Sequence, residues 1–88
     1  MTPAQAIQKI KTTQRCTEAQ ARALGLYVTR GAYVDTYDDR LDRWYVDTLD
    51  GPVDRRSAGY YTKRQAYQEI VYGVIRGEIT DVQHSPYT

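Results

Sequence analysis

The chain has no phenylalanine, one cysteine, one histidine and three prolines among its 88 residues. Each scarcity excludes something. The lone Cys16 rules out an intrachain disulfide and any cysteine-based metal cage. It reads as a passive thiol near a helix start. The lone His84 falls in the C-terminal stretch, away from any partner set for Ser–His–Asp or Cys–His nucleophilic catalysis. No phosphate-cradling glycine loop occurs. The spacing in DTYDDRLD (35–42) does not match a calcium loop, which needs spaced oxygen ligands and a closing carboxylate. No apolar run approaches the roughly 18 residues of a membrane helix. The opening MTPAQAIQKIK lacks the apolar core of a secretion signal. The expectation is a cytoplasmic, non-enzymatic protein without cofactor, metal or membrane contact.

The chain also lacks a strong excess of one charge. Twelve basic residues face 11 acidic ones, a formal net charge of +1. The distribution is uneven. Residues 1–31 carry Lys9, Lys11, Arg15, Arg22 and Arg30 against Glu18 alone, a net +4. Residues 32–59 carry Asp35, Asp38, Asp39, Asp42, Asp47, Asp50 and Asp54 against Arg40, Arg43, Arg55 and Arg56, a net −3. Residues 60–88 balance. A nucleic-acid binder usually shows a clear basic excess, so the acidic centre points first to a protein partner.

What the chain has in quantity is tyrosine: nine, with a single tryptophan, Trp44. Tyrosine combines a large apolar body with a polar tip. A set of rings made almost wholly of tyrosine fits half-wet positions in grooves and interfaces better than a dry core.

Eighty-eight residues specify one domain (1–88), which buries only about 60–65% of its unfolded surface. A homodimer would add buried area. A helical N-terminal part (1–25), a strand-strand-strand-helix core (32–76) and a tail (83–88) are expected. Thr2 and Pro3 start a helix over 3–13, with Ala6, Ile7 and Ile10 as its apolar stripe. Thr17 with Gln20 forms a capping box for a second helix over 17–24, with Ala19, Ala23 and Leu24 on one face and Gly25 at its end. Leu26, Tyr27 and Val28 read either as the end of that helix or as an entry strand.

Residues 32–37 and 43–49 alternate with strand period. Pairing these two segments across an Asp38–Asp42 loop turns Val34, Trp44 and Val46 to the core. It turns Tyr33, Tyr37 and Tyr45 outward beside Asp35 and Asp47. Asp50–Gly51 signals a tight turn into a short third strand from Val53 to Ala58, and Gly59 breaks it. Thr62 with Gln65 caps a last helix over 63–76, whose apolar half is Ala66, Tyr67, Ile70, Val71, Val74 and Ile75. Tyr72 faces away, Gly77 stops the helix, and Ile79–Val82 adds a short strand. The fold class is α+β: an antiparallel sheet of three to four strands, a C-terminal amphipathic helix against it and one or two short N-terminal helices. The expected core is Leu24, Val34, Trp44, Val46, Ala66, Ile70, Val71 and Val74.

Trp44–Tyr45–Val46, the Asp50–Gly51 turn, and Gly59, Tyr61, Thr62, Lys63 and Ala66 give this order: strand with Trp, turn, strand, then G-aromatic-x-T-K-x-x-A opening a helix. This order resembles the arm-type DNA-binding domain of tyrosine integrases over residues 32–72. The resemblance implies a three-stranded sheet backed by a helix, with the sheet entering the major groove. The strands here carry Asp35, Asp47 and Asp54 where such domains present basic or polar readers. In size, tyrosine content and lack of a catalytic set, the chain also resembles small proteins of phages and mobile elements, including anti-CRISPR inhibitors.

Two binding surfaces follow. The first is an acidic tyrosine-rich face of Tyr33, Asp35, Tyr37, Asp38, Asp39, Asp42, Tyr45 and Asp47. It suits a basic protein surface, including one of a host complex that normally holds nucleic acid. That makes the chain an inhibitor or adaptor. The second is a nucleic-acid surface of Arg30, Arg40, Arg43, Arg55, Arg56, Lys63 and Arg64, with Tyr60 or Tyr61 stacking on bases.

Overall fold

The computed structural model describes residues 1–31, 34–35, 38–39, 43–49, 51–53 and 59–81; for 34, 35, 38, 39, 51 and 52 it describes the backbone alone. The elements in chain order are α1 (Pro3–Thr13), α2 (Glu18–Ala23), β1 (Tyr27–Arg30), β2 (Val34–Asp35), β3 (Asp38–Asp39), β4 (Trp44–Thr48), β5 (Gly51–Pro52) and α3 (Lys63–Ile75). The architecture is α+β, as expected.

All three helices open with one device. Thr2, Thr17 and Thr62 each accept a hydrogen bond from the backbone N–H of the glutamine three residues on. The side chains of Gln5, Gln20 and Gln65 accept in return from the threonine N–H groups, at 2.9, 2.9 and 3.2 Å. These reciprocal bonds satisfy donors that a helix start otherwise leaves unpaired. They also explain how Gln20 is tolerated in a buried position: its amide oxygen is already used.

The strands pair differently from expectation. β4 pairs with β1, not with residues 32–37, in the register Tyr27↔Asp47, Val28↔Val46, Thr29↔Tyr45 and Arg30↔Trp44. The Leu26–Val28 patch is therefore the entry to a true strand. β2 instead pairs locally with β3, Val34↔Asp39 and Asp35↔Asp38, inside the stretch expected to be loop. β5 lies on the other side of β4 and gives the order β1-β4-β5. A tight turn does follow Thr48, but Gly51, expected within it, is already paired with Thr48 in β5, and Val53 N–H donates to Val46 O at 3.1 Å. The strand expected from Val53 begins earlier, at Gly51, and Val53 itself lies in a bend; residues 54–58 lie outside the described set. Ile79–Asp81 forms no strand.

Alternation assigns the two faces of the β1–β4 pair. Val28 and Val46 face the helices and pack against the core of Ala6, Ile10, Ala21, Leu24, Leu26, Ile70, Val71 and Val74. Leu24, Ala66, Ile70, Val71 and Val74 are buried, as anticipated. Trp44 and Val46 are only half-buried, although β4 is the middle strand: Trp44 is its first residue, at the end of the sheet, and Val46 borders a recess between α3 and the sheet; the side chain of Val34 lies outside the described residues. Ala21, not Ala19, carries the buried face of α2, because a six-residue helix presents one turn to its neighbours. Ile75 is 51% exposed, because α3 ends at that residue, past its last contact with the core. Tyr72 is exposed as expected. The space below the end of α3 is filled by Ile79, which lies across Gly73 so closely that a Cβ there would come within 2.6 Å of Ile79 Cδ1.

Tyr45 is the principal correction. Expected on an open aromatic face, it is 5% exposed. The chain returning to the sheet lays Gly59 over its ring, and Tyr60 then forms a two-way backbone bridge with Trp44, both bonds 2.8 Å. Gly59 has φ +83°, and a Cβ there would fall 2.8 Å from Tyr45 Cζ and 2.9 Å from Arg43 Cβ. Gly59→Ala is therefore expected to destabilise the fold by more than about 2 kcal/mol, combining left-handed strain with overpacking. Ile10→Ala, in the helical core, should cost about 2–5 kcal/mol. Urea denaturation followed by circular dichroism measures both. A Gly59→Ala variant as stable as the parent would show that the ring and the glycine are not in contact.

Candidate nucleic-acid interface

The junction of β4 with the start of α3 concentrates cationic and aromatic side chains. The backbone bridge at Tyr60 fixes it. From Tyr60 the chain passes through Tyr61 to the Thr62 cap, so Tyr61 and Lys63 lie beside the first residues of β4. Two cation–aromatic pairs form there. Arg43 Cζ stands 4.6 Å from the centroid of the Tyr61 ring, and Arg43 Nη2 donates to the Tyr61 hydroxyl at 3.5 Å. Lys63 Nζ stands 5.6 Å from the centroid of Trp44. Arg30 pairs with Trp44 across the sheet and so comes to the same end of it. Tyr61 is 75% exposed, a wide surface for an apolar ring.

Of the expected nucleic-acid set, Arg30, Arg43, Tyr61 and Lys63 thus meet at one end of the sheet, whereas Tyr60 lines a recess between α3 and the sheet and Arg64 lines a groove beside Arg15. Among the described residues no carboxylate lies within ion-pair distance of Lys63 or Arg64. Arg40, Arg55 and Arg56 lie outside the described residues.

The acidic tyrosine-rich set is not gathered in this way. Tyr45 is buried under Gly59. Asp47 is half-buried, and its Oδ2 accepts a hydrogen bond from the Thr29 hydroxyl at 2.5 Å. Tyr33, Tyr37 and Asp42 lie outside the described residues, and Asp35, Asp38 and Asp39 are described by their backbone alone.

Sequence reasoning placed Trp44 in the core and did not find its role beside Lys63. The signal was available in its position at the first residue of the strand, where an edge ring is only half covered. The role of Arg15 was also missed. A polar groove of about 470 Å³ runs between the link that joins α1 to α2 (Gln14, Arg15 and Cys16) and α3, and Arg15 and Arg64 both line it. Only the tertiary packing brings these two together.

A second recess, of about 190 Å³, lies between α3 and the sheet edge, among Leu26, Val46, Val53, Ile70 and Ile79. Its polar margin is already engaged: Arg76 bonds Glu69 at 3.1 Å and Glu78 at 3.3 Å. Among the described residues no cluster of three metal-ligating side chains occurs, and no helix is long and apolar enough to cross a membrane. No known protein family, curated protein or solved structure matches this chain.

Cys16 borders the 470 Å³ groove. Burial pushes its thiol up to about 11, against a smaller opposing effect of the backbone hydrogen bond at Ala21. At pH 8 its thiolate fraction is lower than that of an ordinary cysteine by on the order of 100-fold. Alkylation by iodoacetamide at pH 8 should therefore run at least that much slower on the folded protein than on the urea-unfolded chain; equal rates would show an open thiol. The unfolded chain releases this proton near pH 9 and the folded one near 11. Stability contributed by the buried thiol is thus complete below pH 9 and is lost as pH rises toward 11.

Proposed function

We propose that this chain is a small non-enzymatic binding module whose ligand is nucleic acid, held where β4 meets α3. The observation that carries this reading is the pair of cation–aromatic contacts, Arg43 with Tyr61 and Lys63 with Trp44, at one end of the sheet. A base has a flat π-face, and an exposed aromatic ring backed by a guanidinium is a stacking platform for it. Phosphates need nearby cations that are not already neutralised, and Lys63 and Arg64 meet that condition among the described residues. The modest net charge of +1 limits the long-range attraction, so binding depends on this local patch. The integrase-like order of strand, turn and capped helix agrees with the class of ligand. The contacting region is the sheet end, since the outer face near Tyr45 is covered.

A second reading keeps the chain as an inhibitor or adaptor of a mobile element, acting on a basic protein surface in the cytoplasm. The segregated charge supports it: residues 32–59 hold seven aspartates and only four arginines.

Anisotropy of labelled oligonucleotides across a salt series tests the first reading. The parent should bind at micromolar or tighter affinity in low salt, with a log–log slope near −0.7 per phosphate contact for a single strand. Tyr61→Ala should weaken binding by about 1–3 kcal/mol, and Lys63→Glu should flatten the salt slope by about one contact. Loss of neither affinity nor slope in these variants would remove the proposed surface. Asp38→Lys with Asp42→Lys separates the two readings. It should strengthen oligonucleotide binding if nucleic acid is the ligand, and abolish a pulled-down complex if a basic protein is.

A further inference from the structure

Resting on that reading, we infer that the ligand is a single strand, and that its backbone runs from the Tyr61 platform into the groove between the α1–α2 link and α3. Lys63 and Arg64 are consecutive in the first turn of α3, and they divide the two parts of this path. Lys63 sits by Trp44, whereas Arg64 lines the groove. From Arg64 the same helix face continues through Tyr67 and Gln68, while Gln14 and Arg15 form the opposite wall. Gln14 is the left-handed residue that ends α1, with φ +54°, and its turn carries the chain across to Arg15.

The chemistry of this wall suits phosphate and sugar. Two guanidiniums, two primary amides and a phenol converge on about 470 Å³, and all of them donate hydrogen bonds. No carboxylate among the described residues lies within ion-pair distance of Arg15 or Arg64. The acid that acts on Tyr67 through its charge, Glu18, is held by Arg22 at 2.8 Å. Burial first, and then Glu18, raise the Tyr67 phenol above its ordinary value, so it keeps its proton and donates.

The shape selects the single strand. A duplex keeps its base faces stacked inside, so an exposed tyrosine ring has no face to meet. A duplex also presents its phosphates on a convex surface, which does not enter a recess. An unpaired strand offers both a free base face for Tyr61 and a flexible backbone that can bend into the groove.

The experiment compares labelled thymidine oligomers of roughly 4, 8 and 12 nucleotides with a duplex of the longest length, by anisotropy at low salt. The proteins are the parent, Arg15→Glu, Gln68→Glu and Tyr61→Ala, each checked by circular dichroism. Arg15 and Gln68 lie on the surface of the groove, outside the buried core. The inference expects the longest oligomer to bind at least about 10-fold more tightly than the shortest, and more tightly than the duplex by a similar factor. It expects Arg15→Glu and Gln68→Glu to weaken the longest oligomer by about 5-fold or more while leaving the shortest unchanged. If Tyr61→Ala weakens binding but the groove variants do not, the path through the groove is wrong and the nucleic-acid reading stands. A duplex bound as tightly as the single strand overturns the strand preference alone. If the parent binds none of the oligomers, the reading and the inference fall together.

Discussion

The contact between Gly59 and the ring of Tyr45 is the constraint on which the junction of β4 with α3 depends. The sheet itself needs only β1 and β4, and the core needs only the helices and the inner faces of Val28 and Val46. Neither settles where the chain re-enters after its hairpin. A backbone without a side chain, in a left-handed conformation, can lie flat on the tyrosine ring, and no other residue type can do so without displacing it. Once Gly59 is seated, Tyr60 meets Trp44 in register, Thr62 caps α3, and Tyr61 and Lys63 are delivered to Arg43 and Trp44. The surface proposed for nucleic acid is a downstream result of one packed glycine.

Local signals in the sequence were reliable where the physics is local. The helix starts followed from threonine and glutamine three residues apart, and the turn after Thr48 from Asp50–Gly51. The exposed Tyr72 and the buried Ile70, Val71 and Val74 followed from helical period. Strand pairing was not legible. Period-two alternation says that a segment is extended, but it does not name its neighbour. Residues 32–37 alternated more visibly than 27–30, yet the shorter segment won because Val28 can meet Val46 over the helical core. The error then propagated to Tyr45: with apolar side chains on both faces of β4, nothing short of the return chain at Gly59 decides which ring is covered. The candidate site was half legible for the same reason. Lys63, Arg64 and Tyr61 stood out beside a capped helix, whereas the meeting of Arg15 with Arg64 spans nearly fifty positions and exists only after packing.

The charge pattern acquires a meaning from the fold. The basic N-terminal third reaches the α3 side of the molecule through Arg15, and the paired register of β1 brings Arg30 to Trp44. The nearly neutral total thus conceals a local concentration of cations around aromatic rings. The aspartates of residues 32–59 belong to the intervening sequence, and the one whose side chain is described, Asp47, is tied to Thr29 within the sheet. Segregation of this kind keeps the net charge low while grouping cations locally among the described residues.

The choice of glutamine in all three caps has a consequence for how the molecule meets acid. A capping box closed by glutamate carries a proton-binding group at every helix start, and its second bond weakens as that group is protonated. Here the closing side chains are amides, and the first turns of α1 and α3 hold no acidic residue. The bonds that close the three boxes are made by neutral amides, which do not titrate over the range in which carboxylates do. None of the three capping boxes therefore depends on the ionisation of the side chain that closes it.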